Sequence, residues 1–155
     1  MISLRERKIH LNDAIPLIEE KLAEGQEVFF SPDGISMLPT LQAGRDTVVL
    51  VAPTRRLKKY DIALFRRENG QYVLHRVIKC AKTYTFAGDN QLWYEKNIAQ
   101  DQIVALCTAY IRNEKRVSLD SFSVRMQACG LHYRRFVRKI YHGVKSRLRA
   151  LFKKK

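Results

Sequence analysis

The sequence predicts a mainly antiparallel β domain with a helix ahead of it and a basic helix behind it. Three observations carry this. Between Gln26 and Arg112 the apolar residues come in short runs separated by turn formers. Asn69-Gly70, set between Leu64-Phe65-Arg66-Arg67 and Tyr72-Val73-Leu74-His75, is a strong hairpin signal, because both residues tolerate positive φ. At either end the apolar period changes to a helical one. A chain of 155 residues suits one core, burying ~68–70% of its unfolded surface, and a hydrophobic content of 46% is ordinary for a globular protein.

The first helix is expected over residues 12–24, with Asn12 or Asp13 as its cap and Pro16 in its first turn. Ile15, Ile18 and Leu22 share one face, and Gly25 ends it. Strands are expected at about 27–31, 47–52, 61–67, 71–79, 83–87 and 103–112. A two-residue turn at Asn69-Gly70 sets Phe65 opposite Leu74 and Leu64 opposite His75. His75 then shares a sheet face with Val73 and Val77, with little access to water, and Arg76 points to the other face. From about Leu131 the period is helical again. Tyr133, Phe136, Val137, Ile140, Tyr141, Val144, Leu148, Leu151 and Phe152 fall on about half of a helical wheel, with Arg134, Arg135, Arg138, Lys139, Lys145 and Arg149 outside that arc.

The net charge of +14 is concentrated at one end. Residues Ser121 to Lys155 hold 11 Lys/Arg and no acid, which leaves 18 basic against 15 acidic residues for the rest. The chain accordingly divides into a nearly neutral unit, 1–120, and a basic amphipathic tail, 121–155. The N-terminus lacks the apolar core of a secretory leader, and no run approaches the ~20 apolar residues of a membrane span. Cys80, Cys107 and Cys129 are odd in number and widely spaced, which suits a reducing cytoplasm better than a disulfide framework. No cluster has metal-ligand spacing and no phosphate or dinucleotide loop is present, so neither metal nor cofactor is expected.

Chemistry is expected at two segments. Gly34-Ile35-Ser36-Met37-Leu38-Pro39-Thr40 sets a serine in a polar break between strands, with Pro39 shaping the loop and Gly34 permitting close approach of a substrate. His75 lies in the middle of a later strand, and Gly88-Asp89-Asn90 follows. A serine is a weak nucleophile until a base takes its proton, and neutral imidazole is the usual base. The base in turn needs an orienter, for which Asp89 and Glu95 are equal candidates. Asp61 reads as a structural contact.

These residues also resemble a family. Ser36-Met37-x-Pro39-Thr40, Asp61-Ile62-x-x-Phe65, His75-Arg76-Val77-Ile78 and Gly88-Asp89-Asn90 stand in the order found in the signal peptidase I family, whose clan includes the LexA-type self-cleaving proteases. The match covers roughly residues 28 to 112, and histidine at position 75 resembles the endoplasmic-reticulum, archaeal and sporulation-type branch. The resemblance implies a signal-peptidase/LexA-like β core and a serine endopeptidase acting on a leader or signal segment. In it Ser36 is the nucleophile and also an oxyanion donor through its N–H, and His75 is the general base. Gly34, Met37 and Pro39 then belong to the substrate-binding loop. In the endoplasmic-reticulum enzymes an aspartate soon after the glycine-aspartate turn serves the histidine; here Glu95 stands in that neighbourhood. The absence of an anchor departs from most of the family.

Two other readings stand beside this one. A LexA-type regulator normally has a helix-turn-helix domain ahead of the serine, and only 35 residues precede Ser36. A non-catalytic protein could use a peptidase fold merely to present its tail. For the tail, 131–155, three arrangements are expected to compete: the apolar face docked on the domain's own sheet, peripheral contact with an anionic membrane from the cytoplasmic side, or, with the least support, nucleic acid.

Overall fold

The computed structural model describes residues 11–152, apart from the side chains of 12, 142, 143 and 146–152. Its elements are α1 (Leu11–Ala23), β1 (Val28–Phe30), β2 (Asp46–Val51), β3 (Ile62–Arg66), β4 (Tyr72–Cys80), β5 (Tyr84–Ala87), β6 (Glu95–Ile98), β7 (Ile103–Arg112), β8 (Lys115–Ser118) and α2 (Phe122–Phe152). The fold is the expected one: a mainly antiparallel sheet between an N-terminal and a C-terminal helix. The strands run in the order β1-β2-β7-β3-β4-β5-β6, with β8 paired to β7, and every pairing is antiparallel.

Both faces of the sheet are covered. Ala14, Ile15, Ile18 and Leu22 of α1 pack against Val28, Phe30, Val48, Leu50, Ile62 and Leu64. Ala63, Phe65, Val77, Tyr84, Phe86 and Leu106 form the second cluster, on the other face. β3 therefore reads as an unbroken apolar run, since alternate residues enter different clusters. α1 is helical from the first described residue, Leu11, so Asn12 and Asp13 lie within the helix instead of capping it. It closes in a Schellman arrangement, with the Gly25 N–H on Leu22 O at 3.0 Å and the Gln26 N–H on Lys21 O at 3.0 Å.

The β3–β4 hairpin departs from the expected register by one residue. Arg67 N–H donates to Gln71 O at 2.8 Å, and Gly70 N–H to Arg67 O at 3.0 Å. The loop is thus Glu68-Asn69-Gly70, with Gly70 at φ +83°, the residue that a three-residue hairpin requires in the left-handed region. Leu64 pairs with Leu74, Phe65 with Val73 and Ala63 with His75. His75 consequently shares its face with Ala63 and Phe65, whose ring centroid lies 6.3 Å from the imidazole.

Two strands were not legible. β6, Glu-Lys-Asn-Ile, has no strand propensity and forms by pairing with β5 at the sheet edge. β8 is returned by Asn113 and Glu114, both at positive φ (48° and 64°), as in a two-residue hairpin turn.

α2 also differs from expectation, in its start and in the face it docks. It begins at Phe122, nine residues before Leu131. Among its described residues the buried ones are Val124, Ala128 and Arg135, whereas Tyr133, Phe136, Ile140 and Tyr141 are 70%, 57%, 53% and 59% exposed. Of the three competing arrangements for the tail, the one with its apolar face docked on the domain's own sheet is not adopted by Tyr133, Phe136, Ile140 and Tyr141. The small residues Val124 and Ala128 allow close approach, and seven residues beyond Ala128, on the same face, Arg135 donates to Gly88 O at 2.5 Å and Gln91 O at 2.9 Å. That placement turns the bulky arc outward.

Candidate active site

Ser36 lies in the loop between β1 and β2, held by apolar anchors. Met37 and Leu41 are buried, and Leu41 N–H donates to Met37 O at 2.9 Å, while Leu38 N–H donates to Ile35 O at 3.3 Å. The Leu38–Pro39 bond is cis. Gly34 and Pro39 are exposed on either side of the serine. From the far side the Gly88-Asp89-Asn90 turn grips this loop: Asn90 N–H donates to Ser36 O at 2.9 Å. A Cβ on Gly88 would sit 2.6 Å from Ser36 O, so the turn can come this close only as glycine.

Ser36 and His75 line the same cleft, of about 290 Å³, together with Phe30, Met37, Leu41 and Leu74. No hydrogen bond joins the two among the described residues. Such bonds are often long in the absence of substrate and tighten when it binds. His75 is almost wholly buried within β4, at 2% exposure. Its Nδ1 lies 2.8 Å from Glu95 Oε1, with the N–H direction off the line between them. The two groups are thus paired by distance, without a formed hydrogen bond.

Arg67 completes this arrangement. Its Nε donates to Glu95 Oε2 at 2.6 Å and its Nη2 to Oε1 at 2.8 Å. Burial pushes the Glu95 carboxyl up, but the hydrogen bonds from Arg67, with the His75 ring close by, outweigh it and hold the group down at about 2. Glu95 is therefore an anion beside the ring at neutral pH. Its bond to Arg67 likewise raises the arginine.

Asp89, the other candidate orienter, is engaged elsewhere. Arg76 grips it through Nε to Oδ1 and Nη2 to Oδ2, both at 2.8 Å, and the Thr40 hydroxyl donates to Oδ2 at 2.5 Å. Arg76 Nη1 also donates to Tyr60 O at 3.0 Å. Thr40, Arg76 and Asp89 are all buried, so this network ties the serine loop, β4 and the 88–90 turn together from within. Arg76 is thus ion-paired, on the face opposite His75. Asp61 takes Arg55 at 2.7 Å and the Lys58 N–H at 2.8 Å, a structural contact as read from sequence.

The serine, histidine and glutamate come together; the aspartate does not join them through any described contact. Arg67 was missed because it follows β3 in a turn, where a lone arginine carries no sequence signal. Thr40 and Arg76 stood inside the motifs but showed no sign of their shared bonding to Asp89. No protein-family model matches this chain, and no curated protein matches it.

Proposed function

We propose that the protein is a serine endopeptidase of signal-peptidase type. The observation that carries this is one cleft lined by Ser36 and His75, with Glu95 Oε1 2.8 Å from His75 Nδ1. In this reading Glu95 keeps the proton on Nδ1, leaving Nε2 to accept the Ser36 hydroxyl proton. Ser36 Oγ then attacks the peptide carbonyl. The imidazolium, stabilised by the Glu95 anion, returns the proton to the leaving amine. Water, deprotonated by the same ring, hydrolyses the resulting ester. The Ser36 N–H is the candidate donor to the oxyanion, as the family resemblance implies.

The apolar side of the cleft suits an uncharged side chain before the scissile bond, and the resemblance implies a small one. The substrate class is a leader or signal segment of a precursor. Three unpaired cysteines suit the cytoplasm, and peripheral work at the inner face of a membrane fits the basic tail. No helix among the described residues is long and apolar enough to cross a membrane.

A peptide library with small residues before candidate cleavage sites tests the activity. The expected result is cleavage by the wild type, lost by about 10²–10⁴-fold in His75→Ala and at least as much in Ser36→Ala. A peptide cut equally fast by Ser36→Ala would overturn the reading. No cleavage of any library member or precursor would favour the non-catalytic alternative.

A further inference from the structure

α2 places its large apolar residues on the wrong side for a helix that only completes a domain. Phe122, Met126, Tyr133, Phe136, Val137 and Ile140 are 47–81% exposed, and at ~100° per residue they form one stripe opposite Val124, Ala128 and Arg135. From Phe122 to the exposed Val144 the stripe runs ~33 Å at ~1.5 Å per residue. Exposed apolar residues are ordinary when scattered, but a continuous stripe marks a contact surface.

The flanks of the stripe identify its occupant by charge. Arg134, Arg138 and Lys145 lie along one edge and Lys139 along the other, and no acid occurs from Ser121 onward. Beside the stripe, Leu38, Pro39, Asp89, Asn90, Arg134, Arg135 and Arg138 surround a pocket of about 210 Å³. The Asp89 charge is matched by Arg76, and Arg135 spends its donors on carbonyl oxygens. Arg134 and Arg138 make no hydrogen bond or ion pair among the described residues. The pocket therefore carries an excess of positive charge.

We propose that α2 lies in the interface of an anionic membrane, with the stripe among the upper acyl chains and Arg134 and Arg138 on headgroup phosphates. An apolar face bordered by cations is what such a surface selects. A second copy of the chain would bring two sets of like charges together with no acid to offset them. Nucleic acid would use the cations and leave the stripe bare. The pocket is also walled by Leu38 and Pro39, two and three residues after Ser36, so lipid contact holds the serine loop near the membrane. That consequence for the substrate rests on the peptidase reading; the lipid contact does not.

Flotation with vesicles of phosphatidylcholine alone, or mixed with phosphatidylglycerol, tests the proposal independently of activity. The full chain is expected to float with the anionic vesicles at low salt, less at high salt, and not with the neutral ones. The double variant Phe136→Ser/Ile140→Ser should lose flotation, while a helical circular-dichroism spectrum verifies its fold. Arg134→Gln/Arg138→Gln should bind about 30-fold more weakly, from ~1 kcal/mol per cation. Failure of the full chain to float at low salt overturns the proposal. So does flotation unchanged by the stripe substitutions. A concentration-dependent dimer abolished by Phe136→Ser/Ile140→Ser, without flotation, would assign the stripe to a second copy. Duplex DNA binding without flotation would assign the charge to nucleic acid.

Discussion

Glu95 holds His75 and Arg67 at once: its Oε1 lies 2.8 Å from the imidazole Nδ1 and 2.8 Å from the guanidinium Nη2. The arginine helps to keep the carboxylate ionised, and in the proposed mechanism the carboxylate sets the tautomer of the ring. A positioning role of this kind has consequences that a purely structural ion pair lacks.

Glu95→Gln should lower kcat by about 10²–10⁴-fold with little change in KM, because an amide no longer enforces the tautomer or stabilises the imidazolium. Wild-type kcat in Glu95→Gln would mean that Glu95 does not act through His75.

Asp89→Ala should behave in the opposite way. It leaves Arg76 buried and unpaired, and breaking a buried pair costs about 3–5 kcal/mol. Urea unfolding should therefore show a large loss of stability, while the turnover of the fraction that stays folded falls much less than in Glu95→Gln. Equal kcat losses in the two variants would remove the distinction between them.

Part of the stability should be lost in acid through Glu95. Its carboxyl is held at about 2 in the folded protein, below the ordinary 4.5. Its contribution is thus fully present above the ordinary value and is lost as pH drops toward the folded one. The stability gap between wild type and Glu95→Gln, measured by urea unfolding, should be widest near pH 6 and close toward pH 2. A gap independent of pH would contradict the Arg67–Glu95–His75 assignment.

Gly88→Ala should impair catalysis without unfolding the chain. The new Cβ would meet Ser36 O at 2.6 Å and Gln91 Oε1 at 2.9 Å, and of these only the glutamine side chain can swing aside. The serine loop must move, and a displacement near 1 Å can cost about 10²-fold in rate. Steady-state kinetics beside a thermal melt separates this outcome from simple destabilisation. Wild-type kcat in Gly88→Ala would show that the 88–90 turn does not position Ser36.

How much was legible follows from the range over which each signal acts. Local patterns were sufficient for α1, for six of the eight strands and for the antiparallel class, because apolar alternation and turn formers act within a few residues. Ser36 and His75 were singled out by the resemblance of their motifs to a peptidase family, not by patterning alone. Contacts between distant segments were not legible. β6 is a strand only because β5 offers it an edge, and that edge is what brings Glu95 to His75. The choice between Asp89 and Glu95 depended on where Arg76 and Arg67 lie, and each arginine takes the carboxylate it meets in three dimensions. The β3–β4 register turned on a single loop residue, Glu68, that the Asn-Gly signal does not specify.

The amphipathic period of α2 likewise determined that an apolar arc exists but not which way it faces. Helical periodicity is a property of one element, whereas docking is settled by the partner surface. Here Val124, Ala128 and Arg135 fit the domain, and the larger residues were left to the solvent side. The sequence by itself determined the class of fold and six of the eight strands, and it pointed to Ser36 and His75 as candidates. Only the tertiary structure decided the histidine's carboxylate, the loop that Gly88 supports and the outward face of α2, because each depends on which distant groups meet.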